Sequence, residues 1–126
     1  MKIAKFILSV LLAFGALVSH ALEIKPYSAA ALAQAQRANQ SVAVHFHADW
    51  CPTCRAQMSA LQQLKSEKGL DITVLVANYD TEKDLKLRFK VRAQSTLVVM
   101  HGDVETERLV GDTSRLGILQ ALKSAL

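Results

Sequence analysis

The chain has 126 residues, 51% of them hydrophobic, which is one domain's worth of length with enough apolar content for a single core. Lys and Arg number 15 against 11 Asp and Glu, but the basic side chains are scattered and build no phosphate-binding stripe. Nucleic acid is therefore not an implied partner.

The first stretch, "MKIAKFILSVLLAFGALVSHA", opens with Lys2 and Lys5 and runs apolar from Phe6 to Val18. Ser19-His20-Ala21 then places small residues where a signal peptidase reads. This predicts a secretory signal peptide over 1–21, cleaved after Ala21, and a single domain over 22–126. A span of about 13 apolar residues is too short for the roughly 20 that cross a bilayer. No cysteine follows the run to carry a lipid, so no stable membrane association is expected after cleavage. Loss of Lys2 and Lys5 leaves only a small positive excess. The expected location is the periplasm, where two cysteines form either a structural disulfide or a working redox pair.

Downstream of Pro26 and Tyr27, "SAAALAQAQRANQ" reads as a helix with Ser28 as its N-cap. "SVAVHFHA" alternates, with Val42, Val44 and Phe46 on one face, and reads as a strand. "CRAQMSALQQLKSEK" carries Met58, Leu61 and Leu64 at helical spacing, with Cys51 at the first turn and Gly69 just past the end as its C′ residue. "DITVLVAN" has the β-branched composition of a buried strand. "DTEKDLKLRFK" reads as a helix capped by Asp80 or Thr81, with Leu85 and Phe89 on its inner face. "STLVVM" and "VETERLV" flank "HGD" and predict a β-hairpin. Asp112 or Thr113 then caps a last helix carrying Leu116, Leu119 and Leu122. The predicted order is α-β-α-β-α-β-β-α, an α/β fold with helices on both faces of a central mixed sheet.

The chemistry gathers in "HFHADWCPTCRAQ", which holds both cysteines and two of the four histidines. Cys51 and Cys54 lie three apart at a helix start, on one face and close enough to bridge. The positive end of the helix dipole favours a thiolate on Cys51, and Pro52 suits a first-turn position that has no N–H partner. A thiolate at the tip with a second thiol one turn in suits disulfide exchange: Cys51 attacks and Cys54 resolves. Two other readings stand beside it. A stapling disulfide across so short a loop removes little unfolded-state entropy. A metal or copper module would recruit Cys51, Cys54 and His47, thiolate and imidazole being soft enough for copper, but four ligands are hard to assemble.

"VAVHFHADWCPTC" resembles the strand and W-C-x-x-C motif of the thioredoxin family. "VANYD" is similar to its next strand end, "VRAQSTLVVMHGD" to its substrate-facing loop and hairpin, and Gly111 to the turn into its last helix. The resemblance implies a thioredoxin fold and dithiol–disulfide exchange, with Cys51 as nucleophile, Cys54 as resolving thiol and Trp50 beside them. It implies no cofactor. Protein disulfide substrates and a redox partner that recharges the dithiol are implied partners, and a monomer is expected. Substrate is expected to meet Trp50, Pro52 and the backbone of Ser95 and Thr96.

Four positions depart from the family pattern. Pro52-Thr53 replaces the Gly-Pro usual in general reductants; proline first also occurs in glutaredoxins and in disulfide-forming oxidants. The chain has no room for the oxidants' inserted helical domain, which favours reductase-like or isomerase-like work. His45 falls where many members bury an Asp that helps deprotonate the resolving cysteine, and an imidazole with an unperturbed pKa near 6.5 suits that catalytic role. His47 replaces a common aromatic and is a candidate for tuning Cys51. Ser95 stands where the family has its cis-proline; a trans peptide is expected there, with the hydroxyl facing the sulfurs.

Overall fold

The computed structural model describes Gly15 and residues 21–126. The predicted signal peptide therefore falls almost wholly outside the described residues. Among these, no helix is long and apolar enough to cross a membrane.

Five strands and four helices follow in the order β1 Glu23–Pro26, α1 Ala29–Arg37, β2 Ser41–His47, α2 Pro52–Leu64, β3 Thr73–Asn78, α3 Lys83–Phe89, β4 Thr96–His101, β5 Val104–Val110 and α4 Arg115–Lys123. The strands form one mixed sheet in the order β1-β3-β2-β4-β5. β1 and β2 run parallel to β3, whereas β4 is antiparallel to both β2 and β5. The expected α/β thioredoxin fold, with helices on both faces of a central mixed sheet, is what forms.

β2 lies between β3 and β4, so both of its edges are paired, and with helices packed on both faces every residue from Val42 to Phe46 is buried. Alternation then sorts its side chains. Val42, Val44 and Phe46 pack with Leu32 of α1 and Leu85 of α3. Ala43 packs on the other face with Leu61 and Leu64 of α2 and Ile118 and Leu122 of α4. His45, next but one to Ala43, is thereby aimed at α2.

Several local expectations need correction. The first element after residue 21 is a strand, β1, which "EIKP" does not advertise: it is a sheet edge with mostly exposed side chains, where charge and Pro26 are tolerated. α2 ends at Leu64, and Gly69, at φ +75°, belongs to a later turn rather than to the helix C-cap. Neither Asp80 nor Thr81 caps α3; Glu82 holds the N-cap position without a side-chain bond, because Asn78 Oδ1 takes the Asp80 and Thr81 N–H groups. The cap of α4 is Ser114, whose Oγ accepts from the Gly117 N–H. Asp112 instead accepts from the Ser114 N–H and hydroxyl. Leu116 points to solvent, and Ile118, Ala121 and Leu122 form the buried face. Ser28 caps α1 as expected, its Oγ accepting from the Ala31 N–H.

Candidate active site

The end of β2 and the turn after it carry the chain into α2. Cys51 is the N-cap of that helix rather than a residue within it, at φ −93° and ψ 113°. Its Sγ accepts from the Cys54 N–H at 3.2 Å, where a Ser or Asp oxygen would sit in an ordinary cap. Pro52 takes the first helical position and needs no partner. Both cysteines are free thiols, Cys51 3% and Cys54 0% exposed.

The two sulfurs are made unequal by their surroundings. Burial opposes ionisation of Cys51, but hydrogen bonds from the Cys54 thiol, the Ser95 hydroxyl and the backbone N–H groups of Cys54 and Thr53 outweigh it, and its pKa lies below the ordinary thiol value. Burial, and then the bond to Cys51, holds Cys54 above that value. A more acidic and a less acidic thiol share the site, which is the asymmetry that attack and resolution require.

Ser95 precedes β4, and its hydroxyl lies 3.0 Å from Cys54 Sγ and 3.4 Å from Cys51 Sγ. The peptide before it is trans, and the residue adopts a left-handed φ of +62°. Three backbone bonds keep it there. Its N–H donates to Phe46 O at 3.0 Å, and its carbonyl accepts from Gly111 N–H and from Gln57 Nε2, each at 3.0 Å. With both backbone groups engaged, Ser95 meets a substrate through its hydroxyl only, so the expected pairing of an extended peptide with this residue's backbone is not available. Thr96 is 2% exposed and spends its hydroxyl on Ala93 O at 2.7 Å. Its side chain does not join the site.

Gln57 is the residue that sequence reasoning missed. It lies on the buried stripe of α2 between Cys54 and Leu61, 1% exposed. Its Nε2 donates to the carbonyls of Ser95 and, at 2.9 Å, Asp112. Its Oε1 must therefore accept, and His45 Nε2 donates to it at 2.8 Å. The signal was present: a polar residue three after Cys54, at a position the helical period assigns to the core.

His45 is fully buried, and burial pushes its pKa down to about 4, the Gln57 bond working upward and the neighbouring His47 downward. The premise of an imidazole titrating near 6.5 does not hold in this fold. Its Nδ1 is buried without a hydrogen-bond partner, as is Nδ1 of His47. The two rings lie 5.3 Å apart, and His47 Nε2 donates to Asp49 Oδ1 at 2.9 Å. Among the described residues no group of three His, Cys, Asp or Glu side chains is placed to hold a metal ion, so the set Cys51, Cys54 and His47 is not assembled.

Trp50 stands 59% exposed before Cys51, its Nε1 donating to Asp80 Oδ2 at 2.8 Å. With His47, Asp49, Asn78 and Asp80 it borders an open cavity of about 310 Å³. Pro52 is exposed at the helix tip, so Trp50 and Pro52 flank the covered sulfurs.

Comparison with known proteins agrees with this geometry. A family model described as Thioredoxin matches residues 24–124. The thioredoxin of Mycobacterium tuberculosis is 27% identical over 88 residues, which cover 70% of this chain and 76% of that protein. A thioredoxin H-type from Brassica campestris is 30% identical over 80 residues, 64% of each chain. Among solved structures, Trxlp from Edwardsiella tarda EIB202 superposes with a TM-score of 0.74 at 36% identity, covering 79% of this chain and 98% of that one.

Proposed function

The chain belongs to the thioredoxin family and is a thiol–disulfide oxidoreductase, and we propose that it works in the periplasm as a reductase or isomerase of protein disulfides. Family members act on disulfide substrates and are served by redox partners. For this chain the substrates are exported proteins or peptides, a separate partner recharges the dithiol, and the working form is a monomer. The signal peptide read over 1–21 and the oxidising compartment it leads to support the location.

One observation carries the assignment of roles: Cys51 Sγ caps α2 and is held by hydrogen bonds as the more acidic thiol, while Cys54 is fully buried and more basic. Cys51 is the nucleophile. Its thiolate attacks a substrate sulfur, the second substrate sulfur leaves with the bonding pair, and Cys54 then attacks Cys51 Sγ to release the first. Substrate contact falls to Trp50 and Pro52 on the rim and to the Ser95 hydroxyl, with Thr96 serving through its place in β4.

His45 enters this scheme as a weak base. Accepting a proton on Nδ1 costs about 3 kcal/mol more than for an ordinary imidazole, from the drop of its pKa to about 4. Proton transfer through it is transient and leaves no inflection near pH 6.5 in the rate profile.

The test is reduction of insulin by the protein with dithiothreitol as recharging agent, alongside equilibration of the Cys51–Cys54 pair with glutathione buffers. Cys51→Ser is expected to abolish turnover, and Cys54→Ser to accumulate a mixed disulfide through Cys51. A trapped adduct on Cys54 instead, or full turnover in Cys51→Ser, overturns the roles. A potential as oxidising as that of the strong disulfide-forming oxidants, near −120 mV, overturns the reductase or isomerase direction. An unchanged rate and pH profile in His45→Ala removes His45 from the proton path.

A further inference from the structure

Resolution of a mixed disulfide poses a problem of proton traffic. Cys54 is wholly buried and protonated, so its proton must leave as its sulfur attacks. The departing substrate sulfur, one bond beyond Cys51 Sγ, must gain one. His45 is a poor acceptor, whereas the Ser95 hydroxyl touches the sulfurs of both cysteines.

That hydroxyl has one hydrogen and two sulfur neighbours. With Cys51 Sγ as acceptor, one arrangement satisfies both contacts of the hydroxyl: Ser95 O–H donates to Cys51 Sγ, and the Cys54 S–H, shared with Cys51 Sγ, donates to Ser95 Oγ. A continuous S–H to O–H to sulfur chain already exists in the reduced protein, over 3.0 and 3.4 Å. A proline at this position would have no hydroxyl and no N–H for Phe46 O.

We propose that the Ser95 hydroxyl is a catalytic proton relay for the resolving step, and that Gln57 is its positioning residue. Building on the exchange roles assigned above, the step balances as follows. Cys54 Sγ forms a bond to Cys51 Sγ, and the bond from Cys51 Sγ to the substrate sulfur breaks with its electron pair going to the substrate. Ser95 O–H passes its proton to that departing sulfur and takes the Cys54 proton in return. The products are the intramolecular disulfide, an unchanged serine and a neutral substrate thiol.

Gln57 holds the relay in place from the side away from the sulfurs. Its amide N–H groups fix the Ser95 and Asp112 carbonyls, and its Oε1 is oriented by the His45 N–H. Gly111 N–H and Phe46 O secure the rest of Ser95, so its backbone cannot turn the hydroxyl away while these bonds last.

The experiment mixes reduced protein with glutathione disulfide, quenches with acid and follows the glutathione adduct on Cys51 by mass spectrometry. Removing the hydroxyl in Ser95→Ala is expected to slow decay of the adduct on the order of 10²-fold, as for loss of a positioned acid–base group. Ser95→Gly, which suits the positive φ and keeps the fold, is expected to match it. Gln57→Met, which fills the same space without hydrogen bonds, is expected to slow decay in the same direction, and the double variant to decay no more slowly than Ser95→Ala. Wild-type decay is expected to slow more in heavy water than decay of Ser95→Gly, because the relay moves two protons and the variant one. Adduct decay at the wild-type rate in Ser95→Gly overturns the relay alone. A Gln57→Met decay rate equal to wild type overturns the positioning role. Failure of the wild-type protein to form any adduct instead refutes the exchange roles on which the relay rests.

Discussion

The buried imidazole of His45 makes stability a function of pH. In an unfolded chain this residue titrates at 6.5, whereas in the fold burial takes it to about 4. Between these values the unfolded state binds the proton and the folded state does not, so acid favours unfolding. The stabilising contribution is complete above pH 6.5, declines as pH falls below it and is gone at pH 4. Its size follows from the gap between the two values at 1.36 kcal/mol per unit, about 3 kcal/mol, a large share of the 5–15 kcal/mol typical of a domain. The perturbation is His45→Gln, which keeps an N–H donor for Gln57 Oε1 and does not titrate. Urea unfolding of the oxidised protein, followed through the fluorescence of the single tryptophan, Trp50, gives stability at each pH without interference from the thiols. The wild-type curve is expected to drop by about 3 kcal/mol more than the variant's between pH 6.5 and 4. Parallel curves would show that His45 takes its proton as readily in the fold as outside it, and would refute the reasoning.

Three further outcomes follow from the same geometry. Ser95→Gly is expected to exceed Ser95→Ala in stability by about 1 kcal/mol in urea unfolding, because only glycine accepts φ +62° without strain. A methyl group in Gly117→Ala would come within 2.3 Å of Asp112 Oδ2 and 2.7 Å of Ser114 Oγ. The cap of α4 is then displaced at a cost of about 1 kcal/mol, read as a lower Tm. Trp50→Ala, at an exposed position, is expected to change stability by less than about 0.5 kcal/mol. It should lower kcat/KM for protein disulfides by about tenfold, the size of one interface anchor, and leave glutathione disulfide untouched.

What the sequence discloses depends on how local the cause is. Cys51 and Cys54 were legible because a helix start, a proline and a three-residue spacing define the site within a few residues. The hairpin around Gly102 was equally local. β1 was not, since four residues of mixed polarity become a strand only through pairing with β3, some fifty residues later. Caps misread by one or two positions, as at Ser114, reflect competition among neighbouring acceptors that only the backbone path decides. Gln57 was legible as a polar residue at a core position of α2, but its role was not, because its three partners come from β2, the Ser95 loop and the turn before α4. His45 was placed correctly in register but credited with a solution pKa, and the depth at which β2 runs changes that value.

A negative charge on the Cys51 sulfur would have no counter-ion. Among the described residues its hydrogen-bond partners are a hydroxyl, a thiol and backbone N–H groups, with no lysine or arginine in contact. Mobile ions screen charge pairs at the surface, with a Debye length of about 10 Å at 0.1 M, but they do not screen dipoles packed against a covered atom. The electron affinity of this dithiol is thereby insulated from ionic strength. The same pair should hold one potential in dilute buffer and in brine.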